Sequence, residues 1–397
     1  MGVSTPAEDA IRAEIAVRGP IPFARVMALA LGHPAGGYYT GPRARPTRGG
    51  DYLTAPELHP IFGAALARQL AEGWERLGRP DPFTLVEYGA GAGTLALALL
   101  AGLREDRSPL AEALVYAPIE LNPHRRAELE ERTAFAGLPV VAPPTSAAPL
   151  AGGAPVAGAV VANEFLDALP VHSVEVRDGR ALEVHVGLTA DGAFSEVLLP
   201  PSTPAIVARL DALSAAGVTL AEGQRAELCL ALDGWVAEVA ATLSAGIVLV
   251  IDYGAPAPEL YGPRRRAGTL MTYRGHAADG SPDAPYRDIG ERDITAHVDT
   301  TTLARLLEAA GFELLGDTTQ AELLAGCGLE DLLERERTRS TDMAAVLLLR
   351  SAVIRLLDPR HLGSFRAVLA GRGVASAPPL RGLTFRAAAV LTGRLRS

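Results

Sequence analysis

The sequence predicts a doubly wound α/β fold, a mostly parallel sheet with helices on both faces, preceded by a helical cap. Three observations carry that expectation. Short apolar strands alternate with helical periodicity from about residue 84 onward. A run of glycines joins the first of those strands to the helix after it. The apolar segment Ile247–Ile251 reads as a strand buried on both faces.

Residues 7–31 read as helix, and His33-Pro34-Ala35-Gly36-Gly37 breaks it before a polar Arg/Gly/Pro loop to about residue 50. From Pro56 to about Leu77, Leu58, Ile61, Phe62, Leu66, Leu70 and Trp74 recur at helical spacing, until Gly78-Arg79-Pro80-Asp81-Pro82 ends the run. A helical cap over 1–80 and a core over 81–397 follow from this. The core opens with strand Thr84–Tyr88, helix Thr94–Leu103, strand Val115–Glu120, helix His124–Phe135 and strand Ala159–Ala162. Asp178-Gly179 and Asp191-Gly192 turns then separate three expected antiparallel strands, Ser173–Arg177, Leu182–Leu188 and Ala193–Leu199, in an insertion into the sheet at about 171–224. A helix over 225–243 leads back to Ile247–Ile251. The Pro/Gly/Arg-rich stretch 255–292 is long for a loop in a compact domain, so it is expected to be an active-site lid. Helix 300–310, strand Phe312–Gly316, helices across 319–357 and strand Phe365–Leu369 complete the chain.

Composition excludes several functions. All 37 basic residues are arginine, which removes lysine Schiff-base chemistry and the lysine of a P-loop. A net charge of −9 disfavours a nucleic-acid partner. Cys229 and Cys327 lack any CxxC spacing, so neither a disulfide framework nor a zinc ribbon is expected, and a reducing, cytoplasmic location fits. Met1–Arg18 is interrupted by charges and the apolar run Val26–Leu31 is short, so neither a targeting signal nor membrane insertion is expected. HExxH and GxSxG are absent, and no metal is expected.

The chemistry-bearing residues stand at strand ends. Glu87-Tyr88-Gly89-Ala90-Gly91-Ala92-Gly93 brings a carboxylate and three glycines into the start of a helix. Glycine lets the backbone turn tightly and approach a nucleoside. The third glycine falls one residue too early for a dinucleotide fingerprint, and the carboxylate of Glu87 suits a sulfonium and ammonium better than a pyrophosphate. The register therefore favours S-adenosylmethionine (SAM) over NAD. Glu120 ends the next strand, where a carboxylate accepts from ribose hydroxyls; that contact serves either cofactor. Asn163, Glu164 and Asp167 end the next core strand in Asn163-Glu164-Phe165-Leu166-Asp167-Ala168-Leu169-Pro170. Polar groups there are costly to bury unless they hold a ligand or one another, and Glu164 with Asp167 could grip a guanidinium and take a proton from it. Alternatively Asn163 and Asp167 cap the following turn. His297, flanked by Asp293 and Asp299, is a further acid/base candidate, with Asp299 equally readable as a helix cap.

Taken together, these motifs resemble the MidA-type methyltransferases, known in mitochondria as complex I assembly factors that methylate an arginine of a complex I subunit. The likeness spans nearly the whole chain: His33-Pro34 with Gly37-Tyr38-Tyr39, Gly50-Asp51-Tyr52-Leu53-Thr54-Ala55-Pro56-Glu57, the glycine turn, Asn163 through Pro170, Ile251-Asp252-Tyr253-Gly254, Gly268-Thr269-Leu270 with Arg274 and His276, Asp293 through Asp299, and Gly363-Ser364-Phe365-Arg366. Ala90 stands where the family commonly has proline and Leu166 where it has phenylalanine. Val140-Val141-Ala142-Pro143-Pro144 offers no acid for an adenine amine. The resemblance implies a class I methyltransferase core, Rossmann-like, with SAM held by Glu87, Gly89, Gly91, Gly93, Glu120 and Asn163. It implies catalysis by Asn163, Glu164, Asp167 and His297, and acceptor contacts from Glu57, Asp252, Tyr253 and Asp299. It points to a protein acceptor, with a respiratory complex I subunit as one candidate. A small-molecule N- or O-methyltransferase and a non-catalytic assembly protein on the same fold are the competing expectations.

Overall fold

The computed structural model describes residues 4–41, 54–141, 154–275, 277–339 and 342–385. At its centre is a six-stranded sheet of β1 (Phe83–Tyr88), β2 (Leu114–Ile119), β3 (Val156–Asn163), β4 (Leu243–Asp252), β5 (Glu313–Thr319) and β6 (Arg366–Arg372). Their spatial order is β5-β6-β4-β3-β1-β2. The pairs β1 with β2, β1 with β3, and β3 with β4 are parallel, while β6 runs antiparallel to both β4 and β5. The strand order reverses between β1 and β3, which places a crevice at their carboxyl ends.

Successive residues of these strands point to opposite faces, and both faces are covered. Leu85, Val161, Leu249 and Ile251 pack beneath Phe62, Leu66 and Leu70 of helix Ile61–Arg76 and Leu99 of helix Thr94–Glu105. Val86, Val160, Val248 and Val250 pack with Trp235 and Val239 of helix Ala231–Thr242 and Leu303 of helix Thr300–Ala309. This double burial explains why the core strands read as continuous apolar runs.

The structure departs from the periodicity in four places, one of them the run from Pro56, which is two helices, Ala55–Leu58 and Ile61–Arg76, parted by extended His59 and by Pro60. The helix expected over 7–31 is two, Pro6–Arg18 and Phe23–Gly32, because Gly19 closes the first with φ 77° and Ile21–Pro22 is extended. The three inserted strands do not join the core sheet. His172–Arg177, Arg180–Leu188 and Phe194–Leu199 form a separate antiparallel sheet with Ile21–Pro22 and Arg225–Leu228, since β3 is already paired on both edges by β1 and β4. The helix expected from 225 accordingly begins at Ala231. Finally, the 255–292 stretch holds the turn of helix Ala257–Leu260 and two strands, Met271–Arg274 and Ala277–Asp279; the former also pairs with Asp293–Thr295. Strands this short carry too few residues for alternation to be legible. Among the described residues no helix is long and apolar enough to cross a membrane.

Candidate active site

The glycine turn is built by backbone hydrogen bonds before any ligand is considered. Gly89 and Ala90 N–H groups donate to the Ile119 carbonyl at 2.9 and 3.2 Å, tying the end of β1 to the end of β2. Gly89, Gly91 and Gly93 have φ of 68°, 54° and 75°, the left-handed region that costs an L side chain about 1–2 kcal/mol. A Cβ on Gly89 would stand 3.2 Å from Phe165, and one on Gly91 3.4 Å from the Arg125 guanidinium. Gly91 N–H donates to Glu120 Oε2 at 2.8 Å and Asn122 N–H to Glu120 Oε1 at 2.7 Å, so the Glu120 carboxylate is fixed at the rim of the turn.

Above this turn lies a cleft of about 640 Å³. Glu57, Glu87, Gly89, Gly91, Glu120, Asn163, Glu164, Asp167 and Tyr253 all line it. So do Glu238 and Asp293, which brings the carboxylates on the lining to seven, against one arginine, Arg125, among the described residues. The cleft is thus built for a cation. Aromatic rings from Tyr39, Tyr88, Phe165, Trp235 and Tyr273 supply much of the remaining wall.

Glu87 is buried, and Tyr116 donates to its Oε2 at 2.5 Å. Burial pushes its carboxyl up to about 8, with the nearby Glu120 adding to the rise and the Tyr116 hydrogen bond opposing it. Glu164 has φ 51°, left-handed backbone in a residue that is not glycine, held by its N–H on the Ile251 carbonyl at 2.8 Å. In that conformation Oε1 accepts from Ala55 N–H at 2.9 Å and from Asn163 Nδ2 at 3.0 Å, while Oε2 and Asn163 Oδ1 are buried without a partner. Burial also pushes Glu164 up to about 8, with Asp252 and Glu57 adding to the rise. Asp167 is driven well above the usual carboxylate range by burial and by Asp252, Asp293 and Glu164 around it. Cationic ligands reverse these shifts, because an opposite charge at close range favours the ionised form.

Four of the residues singled out in the sequence lie elsewhere. Gly93 caps helix Thr94–Glu105 from behind, where a Cβ would meet Leu129 at 3.3 Å. Asp252 is buried beneath the cleft; its Oδ2 accepts from the N–H groups of Phe165, Leu166 and Asp167 at 3.1, 2.8 and 3.3 Å, and its Oδ1 from Tyr253 N–H at 2.8 Å. It therefore shapes the turn that carries Glu164 and Asp167. Asp299 caps helix Thr300–Ala309, accepting from the Thr302 N–H at 3.0 Å and hydroxyl at 2.6 Å. His297 sits in a separate small recess with Glu227 and Tyr261, its Nδ1 2.8 Å from Arg265 Nη1. Burial and Arg265 push the imidazole down to about 4, so it is neutral at physiological pH. Conversely, Tyr39, Arg125, Trp235, Glu238 and Tyr273 line the cleft without having been assigned roles from the sequence. Of these only Tyr39 had a visible signal, the Tyr38-Tyr39 pair after the first helices.

The lining fits an S-adenosyl group. The positive-φ glycines leave a cradle that a side chain would narrow, and the Glu120 and Glu87 carboxylates beside it would suit ribose hydroxyls and a sulfonium or ammonium. Residues 65–318 match the family of S-adenosyl-L-methionine-dependent methyltransferases. The chain belongs to that family. It is similar over 98% of its length, at 32% identity and a TM-score of 0.82, to a superfamily member from Burkholderia thailandensis solved bound to S-adenosyl-homocysteine, 99% of which is covered. It is also similar to the protein arginine methyltransferase NDUFAF7 homolog, mitochondrial, of Drosophila melanogaster, at 29% identity over 89% of this chain and 82% of that protein. The human protein arginine methyltransferase NDUFAF7, mitochondrial, is 26% identical over 87% of this chain and 78% of its own length. This methyltransferase therefore takes SAM as its methyl donor on a class I fold. The cytoplasmic location expected from the sequence does not stand, because these relatives are named as mitochondrial proteins.

Proposed function

We propose that this methyltransferase transfers a methyl group from SAM to an arginine side chain of a protein, with a respiratory complex I subunit as one candidate acceptor. The observation that carries this reading is the excess of carboxylates in the cleft, including Glu164 and Asp167 at the end of β3, apart from Glu87 and Glu120 at the glycine turn. One end then serves a sulfonium nucleoside and the other a second cation. The similarity to protein arginine methyltransferases of fly and human supports the same acceptor.

When bound, SAM supplies a methyl group on a sulfonium sulfur, whose carbon–sulfur bond breaks as a nitrogen–carbon bond forms. In this reading Glu164 and Asp167 hold the guanidinium so that one nitrogen lies in line with that methyl group. Glu164 Oε2, which has no partner in the protein, accepts the proton that nitrogen loses and passes it to water. In the free enzyme the buried carboxyl is pushed up to about 8, and the guanidinium beside it favours the ionised form that accepts the proton. The 255–292 segment, which contributes Tyr273 to the lining, closes the acceptor side.

The test is incubation of the full chain with deuteromethyl-labelled SAM and mitochondrial protein extract, followed by acid hydrolysis and mass spectrometry of the amino acids. Labelled methylarginine is the expected product. Label confined to small molecules, or to residues other than arginine, would overturn the reading.

A further inference from the structure

We propose that Arg125 binds the α-carboxylate at the amino-acid end of SAM, as the one arginine on a cleft otherwise lined by acids. The inference needs only the cofactor and is independent of the methyl acceptor.

SAM carries mixed charge. Its sulfonium and α-ammonium suit the seven carboxylates on the lining, but its own carboxylate is repelled by every one of them. A carboxylate held in such a cleft needs a cation or N–H donors aimed at it. The glycine turn has few donors left to give. The N–H groups of Gly89 and Ala90 go to the Ile119 carbonyl, that of Gly91 to Glu120 Oε2, and that of Gly93 to the Ala90 carbonyl at 2.9 Å. Arg132, the other arginine beside the turn, lies off the lining and spends Nη1 on the Ala92 carbonyl at 2.8 Å and the Thr94 hydroxyl at 3.2 Å. Among the described lining residues Arg125 is the cation that remains.

Its placement fits that task. Arg125 stands in the first turn of helix Pro123–Ala136, directly after Glu120. Asn122 caps that helix, its Oδ1 accepting from the N–H groups of His124 and Arg125 at 3.0 and 3.3 Å, while its Nδ2 donates to the Tyr39 carbonyl at 2.9 Å. The backbone of Arg125 is therefore anchored at the rim of the cleft. A cation in the first turn works against the helix dipole, so helix stability does not explain an arginine at this position. The half-buried side chain reaches back over the glycine turn, where Nη1 would be 3.4 Å from a Cβ on Gly91. Glu57 lies on the same lining, close enough that Arg125 opposes the rise that burial causes in its carboxyl. An α-amino acid bears its carboxylate and ammonium on one carbon, and Arg125 with Glu57 offers a counter-charge to each. The planar guanidinium can meet both carboxylate oxygens at once, which an ammonium cannot match.

The experiment is calorimetric titration of the full chain with S-adenosyl-homocysteine and with methylthioadenosine, which keeps the adenosine and the sulfur but lacks the amino-acid end. Arg125→Leu should weaken S-adenosyl-homocysteine about 10–100-fold and leave methylthioadenosine within about twofold of the unmodified chain. The retained methylthioadenosine binding also reports that the variant is folded. Arg125→Lys, which keeps the charge and loses the fork, should recover part of the lost affinity for S-adenosyl-homocysteine alone. If Arg125→Leu weakens both ligands alike, Arg125 serves the nucleoside or the turn and the inference is overturned. Unchanged S-adenosyl-homocysteine affinity in Arg125→Leu overturns it as well, while the assignment of SAM as cofactor stands.

Discussion

Replacing Glu164 by glutamine separates the charge of this residue from its shape. The amide oxygen can still accept from Ala55 N–H and Asn163 Nδ2, the two contacts that hold the side chain at 2.9 and 3.0 Å. What disappears is a carboxyl pushed up to about 8 and the unpartnered Oε2. A guanidinium about 4 Å from a carboxylate, at an effective dielectric constant of about 20, gains about 4 kcal/mol. Ionising the carboxyl at pH 7, one unit below its value in the free enzyme, takes back about 1.4 kcal/mol. The remainder is roughly a hundredfold in kcat/KM, and loss of a proton acceptor brings a further factor of about 10²–10⁴. Steady-state methyl transfer to an arginine-containing acceptor, measured from pH 6 to 9, reads both effects. In the unmodified enzyme kcat/KM should climb with pH and level off near 8; in Glu164→Gln it should be lower throughout and that rise should vanish. Stability moves the other way. A carboxyl whose folded value is raised keeps its proton in the native state between about 4.5 and 8, so the free energy of unfolding falls as pH rises through that window. Glu164→Gln should therefore unfold at a higher temperature than the unmodified chain at pH 8, and the gap should close toward pH 5. Activity within twofold of the unmodified enzyme, with the same pH profile, would refute the reasoning.

Three further outcomes follow from the geometry. Tyr116→Phe removes the donor at 2.5 Å from Glu87, so the Glu87 carboxyl should rise beyond about 8, and S-adenosyl-homocysteine affinity at pH 7 should drop and recover only at more alkaline pH; an unshifted affinity profile would contradict this. Gly91→Val places a side chain on backbone at φ 54° in the cradle, and calorimetry should show S-adenosyl-homocysteine binding weakened by about a hundredfold or more while circular dichroism shows a folded chain. Asp252→Ala leaves the buried N–H groups of residues 165–167 without their shared acceptor, at about 1–3 kcal/mol for each unsatisfied group, so the melting temperature should fall by several degrees.

The core strands were legible because they are covered on both faces and so read as largely apolar runs, from Thr84–Tyr88 to Ile247–Ile251. Glu87, Glu120, Glu164 and Asp167 were conspicuous for the same reason, as acids at the ends of such runs. Pairing was less legible. Nothing in the alternation of 172–199 says that Arg180–Leu188 pairs with Ile21–Pro22 near the other end of the chain, or that these strands stand apart from the core sheet. Local pattern is equally silent on the Tyr39–Asp293 hydrogen bond, which spans 254 positions. Residue type alone also misleads where a side chain has two possible tasks. His297 and its acidic neighbours read as an acid/base group, yet the fold turns the imidazole toward Arg265 and spends Asp299 on a helix cap. The mitochondrial naming of the relatives is the one point on which composition pointed to the wrong compartment.

The central claim is that the acid-lined cleft above the glycine turn brings an S-adenosyl group and an arginine side chain together. It is tested most directly by soaking or co-crystallising the full chain with S-adenosyl-homocysteine and a capped arginine peptide and locating both ligands. The account predicts ribose hydroxyls on Glu120 and the guanidinium against Glu164 and Asp167, with one of its nitrogens facing the homocysteine sulfur. A nucleoside bound away from Glu120, or a guanidinium found only outside this cleft, would contradict it.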